Sequence, residues 1–215
     1  MQIIKNIEQG SIEWLNLRLS KATASNFDKI ITSTGKPSAS ASDYVEELAG
    51  EYFMEKAEEG YKNETMIRGN ELEEEARQLY QERNLVNVEE VTIMTCEDWA
   101  YSPDGLVGNE GLIEIKCPLS KTHTKYILEN KLPTKYKAQV QGGLYISGRK
   151  WCDFVSYNPS FKDDFKLFTV RVYRDEDFIQ SLERELIKIT EKKKELINQL
   201  IKNAKLAVDP EYKGE

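Results

Sequence analysis

A chain of 215 residues can bury a sizeable core without disulfide or metal staples, and 40% hydrophobic with 31% charged residues is a globular composition. A net charge of −7 argues against a general nucleic-acid coating protein, and three cysteines (Cys96, Cys117, Cys152) with no CxxC spacing argue against both a disulfide framework and a zinc site. MQIIKNIEQG lacks an apolar h-region and no later stretch nears the roughly 20 apolar residues that cross a bilayer, so a cytoplasmic protein without membrane contact is expected.

In chain order, residues 11–31 predict two short helices, SIEWLNLRL and SNFDKII, capped by Ser11 and Ser25 and joined by a turn around KATA. STGKPSASAS reads as a loop. Helical spacing resumes through Tyr44, Leu48, Tyr52 and Met54, and a second helix is predicted from about Glu64 to Arg83. From Val86 to Cys117 alternating and β-branched residues with Asp-Gly and Gly-Asn turns predict an antiparallel meander. Helices follow at KTHTKYILEN and TKYKAQVQGGLYISG, then strands KWCDFVSYN and KLFTVRVYR, then an amphipathic helix from about Glu176 to Ala207 and a frayed tail. With no internal repeat or low-complexity linker, residues 1–215 read as one α/β (α+β) domain, a central mixed sheet flanked by helices. Its parts are a helical portion (about 1–85), a sheet-and-helix portion (about 86–174) and the long helix (about 175–207).

Charge is uneven along this order. Between Asp43 and Glu64 eight acids face only Lys56 and Lys62, whereas from Lys116 to Lys137 six lysines face only Glu129. An acidic chain can still own a basic groove, although solvated helix faces give the same pattern.

The strand GLIEIKCP places Glu114 and Lys116 on one face and Ile113, Ile115 and Cys117 on the other. Upstream, SPDGLVG carries Asp104, which a hairpin of this length brings beside that face. Two carboxylates that close resist ionising unless a divalent cation lies between them, and oxygen donors without histidine suit magnesium or manganese. Lys116 there can orient or deprotonate a water attacking a phosphate. A surface hairpin with a cross-strand ion pair also satisfies the pattern.

In IRGNELEEEARQLY, Met66, Gly69, Leu72, Ala76, Leu79 and Tyr80 share an arc that contains Glu73 but not Glu71, Glu74 or Glu75. An inward carboxylate either stays protonated or finds a cation, a metal or a basic side chain. YKAQVQGGLYISG is apolar round most of its circumference; Gln141 and Tyr145 share a face, and Gly142 and Gly143 permit close packing. Near the start, Arg18, Thr23 and Ser25 offer a guanidinium and two hydroxyls at a helix beginning, a setting that suits phosphate as well as a simple cap. The single histidine, His123, sits in KTHTK and reads as solvated; paired-histidine nucleases and Ser-His-Asp triads are disfavoured, and no GxxxxGK[ST] loop is present.

Together EWLNLRLSKATASNF, MIRGNELEEEAR, YSPDGLVG, GLIEIKCP, YKAQVQGGLYISG and VSYNP resemble, in order and spacing, the PD-(D/E)XK nucleases, and within them the phage lambda exonuclease or YqaJ-like viral recombinase family. The resemblance implies a restriction-endonuclease-like core and a 5′-3′ exonuclease that leaves 3′ single strands on linear duplex DNA for recombination. It implies two Mg2+ (or Mn2+) ions held by Asp104, Glu114, the Ile115 carbonyl and Glu73, with Lys116 assisting the water and Gln141 lining the site. Arg18, Thr23 and Ser25 would hold the 5′ phosphate; Lys36 is the candidate for a further basic residue, although STGKPS departs from the family in length and composition. A ring-shaped homotrimer, a single-strand annealing partner and a phage or prophage origin in a bacterial host are also implied. Competing readings are an endonuclease or junction resolvase on the same core, a non-catalytic DNA-end-binding adapter, and a helical interaction protein built on the terminal helix.

Overall fold

The computed structural model describes residues 1–58 and 64–208, without the side chains of residues 64–66, 206 and 208. Met66 of the expected apolar arc and the expected frayed tail beyond 208 therefore lie outside what is described. Strand β1 (Gln2–Ile4) and helix α1 (Ile12–Arg18) open the chain; Ser11 caps α1 by accepting from the Trp14 N–H. The second expected helix is instead strand β2 (Ala22–Thr23) followed by a 3₁₀ turn, Ala24–Lys29, so Ser25 lies inside the turn and caps nothing. Helices α2 (Ala41–Glu51) and α3 (Glu64–Asn84) follow.

The expected meander consists of β3 (Val88–Glu89), β4 (Ile93–Thr95), β5 (Trp99–Tyr101), β6 (Gly105–Val107) and β7 (Gly111–Lys116). It does not form one sheet. β4 and β5 join β1 and β2 in the order β1-β4-β5-β2, while β3, β6 and β7 join β8 (Trp151–Tyr157) and β9 (Leu167–Tyr173) in the order β3-β6-β7-β8-β9. The β7–β8 and β2–β5 pairs are parallel and the others antiparallel. The parallel β7–β8 pair needs a long crossover, supplied by α4 (Ser120–Glu129) and α5 (Lys137–Ser147). One-turn α6 (Asp163–Lys166) and the long α7 (Glu176–Val208) complete the order.

Both faces of the five-stranded sheet are covered, which is why β7 is apolar on both sides. On one face α3 buries Ala76 and Tyr80 against Ile113, Ile115, Val155 and Tyr157. On the other, α5 and α7 pack with Phe27, Ile30 and Tyr44 against Leu112 and Cys152. α7 presents Phe178, Ile179, Leu182, Leu186 and Ile189 inward at helical spacing, each worth roughly 1.5–3 kcal/mol when fully buried. Lys193 continues that stripe and stays satisfied: its ammonium donates to the Ser20 carbonyl (2.7 Å) and to Asp98 (2.8 Å).

Gly142 and Gly143 of α5 are required by close contacts, since a Cβ would lie 2.3 Å from the Phe27 ring and 2.6 Å from the Tyr101 ring. His123, expected in solvent, is fully buried. Its Nε2–H donates to the Phe165 carbonyl (2.8 Å) and its Nδ1 accepts from Ser156 (2.7 Å), which joins α4 to β8 and the end of α6.

Candidate active site

Leu112, Glu114 and Lys116 leave β7 on the α5 face, so that face runs from the core into an open cleft of about 690 Å3. Glu114 is 1% exposed; its Oε1 accepts from the Lys116 ammonium and from the Gln139 amide, while its Oε2 is buried without a partner. Asp104 stands at the bend before β6, and its Oδ2 accepts from the Ile115 N–H at 2.6 Å. In an extended strand a residue's N–H and C=O point to the same edge. The Ile115 carbonyl is therefore directed to the edge that Asp104 occupies.

Glu73 enters from α3, held by Arg77 at 2.8 Å. Arg77 also donates to the Asp104 carbonyl (3.0 Å) and pairs with Glu74, fastening α3 to the β6 turn. Asp104, Glu114, Lys116 and Glu73 thus line one cleft, although their positions span 44 residues of sequence.

Burial raises all three carboxyls. Glu114 is pushed to about 7, with Lys116 opposing and Asp104 adding to the rise; Glu73 also reaches about 7, through burial and then the Asp104 charge, against Arg77. Asp104 is raised by burial against the pull of Lys116. Burial lowers the Lys116 amine, but Glu114 and Asp104 more than offset it and the net shift is upward. Beside these two carboxylates Lys116 is an ammonium, placed to donate and orient.

The surplus of buried carboxylate and the orphaned Glu114 Oε2 suit a divalent cation. Among the described residues no group of three or more His, Cys, Asp or Glu side chains is already arranged as a metal site; Lys116, Gln139, Arg77 and the Ile115 N–H each hold one oxygen of the three carboxylates.

Arg18 lies 4.1 Å over the Trp14 ring, and its NH2 reaches the hydroxyls of Thr23 and Ser25, both at 3.4 Å. Burial lowers its pKa, with Tyr44 and Glu51 opposing. Trp14, Arg18 and Ser25 line the cleft and Thr23 is buried behind them, so the three expected phosphate contacts are brought together. Lys36 is not with them; its exposed loop lies beside Ser181 of α7 and does not line the cleft.

Gln141 is also elsewhere. It shares a face with Tyr145 as expected, but that face turns to the β9–α7 junction: Gln141 donates to the Tyr173 carbonyl and accepts from the Asp175 N–H, both at 2.9 Å, and Tyr145 donates to Glu183. Two residues on an α-helix are about 200° apart. Gln139, not Gln141, is therefore the glutamine at the carboxylates. Sequence reasoning also passed over Arg77, Tyr101 and Tyr136, the last 5.4 Å from the Lys116 ammonium. For Arg77 a signal existed, its i+4 spacing from Glu73.

A family model described as the YqaJ-like viral recombinase domain matches residues 13–150. Among solved structures, the chain is similar to an alkaline exonuclease (LHK-Exo) from Laribacter hongkongensis, with 36% identity, a TM-score of 0.82, and coverage of 90% of this chain and 98% of that one. LHK-Exo in complex with dAMP matches at 37% identity and TM-score 0.82 over 91% and 100% of the two chains. A phage-related exonuclease from Haemophilus somnus 129PT shares the fold, at 21% identity and TM-score 0.69 over 84% and 96%. No curated protein sequence matches the chain.

Proposed function

The chain belongs to the YqaJ-like viral recombinase domain family and is of the phage-type alkaline exonuclease kind, and on that premise we propose that it digests one strand of linear duplex DNA from the 5′ end, with Mg2+ (or Mn2+) as cofactor, leaving 3′ single strands. The observation that carries this reading is the meeting of Asp104, Glu114, Glu73 and Lys116 in one cleft whose wall also holds Arg18 and Ser25. That LHK-Exo forms a complex with dAMP supports a deoxynucleotide as a ligand of this kind of protein.

In this proposal Asp104, Glu114, Glu73 and the Ile115 carbonyl would hold two divalent ions, which would supply Lewis acidity toward the phosphodiester and the attacking water. Glu114 Oε2 is already free to turn toward a cation, and Gln139 and Lys116 fix the other oxygen. The Lys116 ammonium donates to the attacking water or to the phosphate oxygen on which charge grows. Arg18, Thr23 and Ser25 take the 5′ phosphate, a charged donor and two hydroxyls for a dianion. The catalytic unit is one domain, residues 1–215. A ring-shaped homotrimer, a single-strand annealing partner and action in the cytoplasm of a bacterial host complete the proposal; among the described residues no helix is long and apolar enough to cross a membrane.

The test is digestion of 5′-phosphorylated linear duplex in Mg2+. Lys116→Ala and Asp104→Ala should abolish it, Arg18→Ala should slow phosphorylated ends more than unphosphorylated ones, and covalently closed plasmid should stay intact. Digestion retained in the Asp104→Ala protein removes the assignment, and nicking of the closed circle converts it to an endonuclease.

A further inference from the structure

One wall of the cleft is not used by this chemistry. It is built by α4 and the turn before α5, which contribute Thr122, Tyr126, Lys135 and Tyr136. The aromatic rings support one another: Tyr136 lies 5.3 Å from Phe154 and 6.5 Å from Tyr126, and Phe154 is wholly buried beneath them. On this platform the Lys135 ammonium stands 4.6 Å from the Tyr136 ring centre, on a ring that also lies 5.4 Å from the Lys116 ammonium. The Tyr126 hydroxyl is buried and makes no well-aligned hydrogen bond, with the Tyr136 hydroxyl and the Lys135 ammonium beside it, on a side chain 3% exposed that lines the cleft.

Two features separate Lys135 from an ordinary surface lysine. Lys125 and Lys137 of the basic run are tied to Glu129 and Asp175, whereas among the described residues no carboxylate pairs with Lys121, Lys131 or Lys135, and of these three Lys135 alone lines the cleft. Its ammonium rests over the ring, so the charge is held at the cleft with less ordering left to do on binding. Burial lowers its amine, but the nearby Tyr136 and Tyr126 hydroxyls more than offset this. A cation held on a ring beside a buried hydroxyl that makes no well-aligned hydrogen bond fits an oxyanion bearing a single charge.

We infer that Lys135, with the Tyr126 hydroxyl, forms a second phosphate position in the cleft, which takes a backbone phosphodiester of the bound strand other than the one being hydrolysed. The inference rests on the DNA-hydrolysing reading of the same cleft. It adds a contact that positions the strand without touching the reacting atoms.

Each phosphate neutralised by a lysine contributes about −0.9 to the slope of log K against log salt on duplex DNA, or about −0.7 on a single strand. The experiment is fluorescence anisotropy of a labelled, 5′-phosphorylated linear duplex in EDTA, titrated at several salt concentrations with the full chain. Lys135→Met should bind several-fold more weakly with a slope shallower by about 0.7–0.9, Lys135→Arg should keep the slope, and Tyr126→Phe should weaken binding at unchanged slope because it removes no charge. Lys135 is exposed, so circular dichroism of Lys135→Met should match the parent. A Lys135→Met slope equal to the parent's overturns the inference while leaving the nuclease reading intact, and an unchanged Kd for Tyr126→Phe removes the hydroxyl from the position. A parent protein that binds no duplex in EDTA at any salt, together with a Lys116→Ala protein that binds none in Mg2+, overturns both readings.

Discussion

Glu114→Gln should make the protein more stable in the absence of divalent ions, by an amount that depends on pH. The parent carboxyl is 1% exposed, so solvent does not screen its charge, and burial pushes it from 4.5 to about 7 despite the Lys116 partner. A folded-state pKa raised above the unfolded value means that its stabilising contribution is complete below about 4.5 and is lost as pH rises through about 7. At about 1.4 kcal/mol per pH unit, the ionised side chain costs the fold about 3 kcal/mol at pH 8.5. Glutamine keeps the shape and the acceptor for Lys116 and Gln139 without the charge. Urea denaturation in EDTA should therefore find Glu114→Gln about 2–3 kcal/mol more stable than the parent at pH 8.5 and no more stable at pH 5. Adding Mg2+ should close most or all of the gap: the parent gains about 2.7 kcal/mol at a hundredfold excess over Kd, and the variant gains far less. A variant less stable than the parent at pH 8.5 in EDTA would refute the claim that this carboxylate is held against its own desolvation.

Three further outcomes follow from the packing. Gly142→Ala puts a methyl 2.3 Å from the Phe27 ring and should lower the urea midpoint by at least 1–3 kcal/mol equivalent. Asp153→Asn weakens a buried carboxylate that accepts from Arg171 at 2.8 Å, twice, and from Tyr80 at 2.7 Å, and should cost about 1.5–3 kcal/mol by the same measurement without altering the Mg2+-induced stabilisation. The His123 imidazole is lowered below 6.5 by burial, so its contribution is complete above that pH and is lost as pH falls toward the folded value. The difference in stability between His123→Gln and the parent should accordingly change by up to about 1.4 kcal/mol per pH unit below 6.5, and a flat difference would contradict the buried neutral ring.

The elements most legible in the sequence are those in which one periodicity runs uninterrupted. α7 shows its inward stripe over many turns, and β7 is an apolar run with two charges on one face. What stays hidden has particular physical causes. Strands of two or three residues carry no register information, so the division of the 86–117 segment between two sheets depends on pairing with β1, β2, β8 and β9, which are distant in sequence. α5 is buried on nearly all sides, so hydrophobicity does not rank Gln139 against Gln141; only the packing of Gly142 and Gly143 against Phe27 and Tyr101 sets the rotation. His123 lies among lysines and threonines, yet α4 turns it inward together with Tyr126, three positions on, where Ser156 and Phe165 satisfy both ring nitrogens. Glu73, by contrast, is legible because a carboxylate on an apolar arc conflicts with its surroundings, and such conflicts gather at functional sites.

The charges in the cleft predict the order in which its components assemble. Asp104, Glu114 and Glu73 are opposed by Lys116 and Arg77, both already engaged with carboxylates, which leaves Arg18 and Lys135 as the cations turned to the cleft without a carboxylate partner among the described residues. A phosphodiester brought to Lys116 meets three acidic groups at short range in a partly desolvated setting, where like charges repel most strongly. Divalent cations should therefore raise affinity for duplex ends beyond what ionic strength accounts for, since screening by monovalent salt weakens every phosphate contact. With Lys116→Ala protein, in which turnover is removed, duplex binding in Mg2+ should be tighter than in EDTA at matched ionic strength, and the gain should vanish when Asp104→Asn and Glu114→Gln are added. Equal affinity in the two buffers would mean that the carboxylates do not face the bound phosphate, and the catalytic assignment of Asp104 and Glu114 would fall with it.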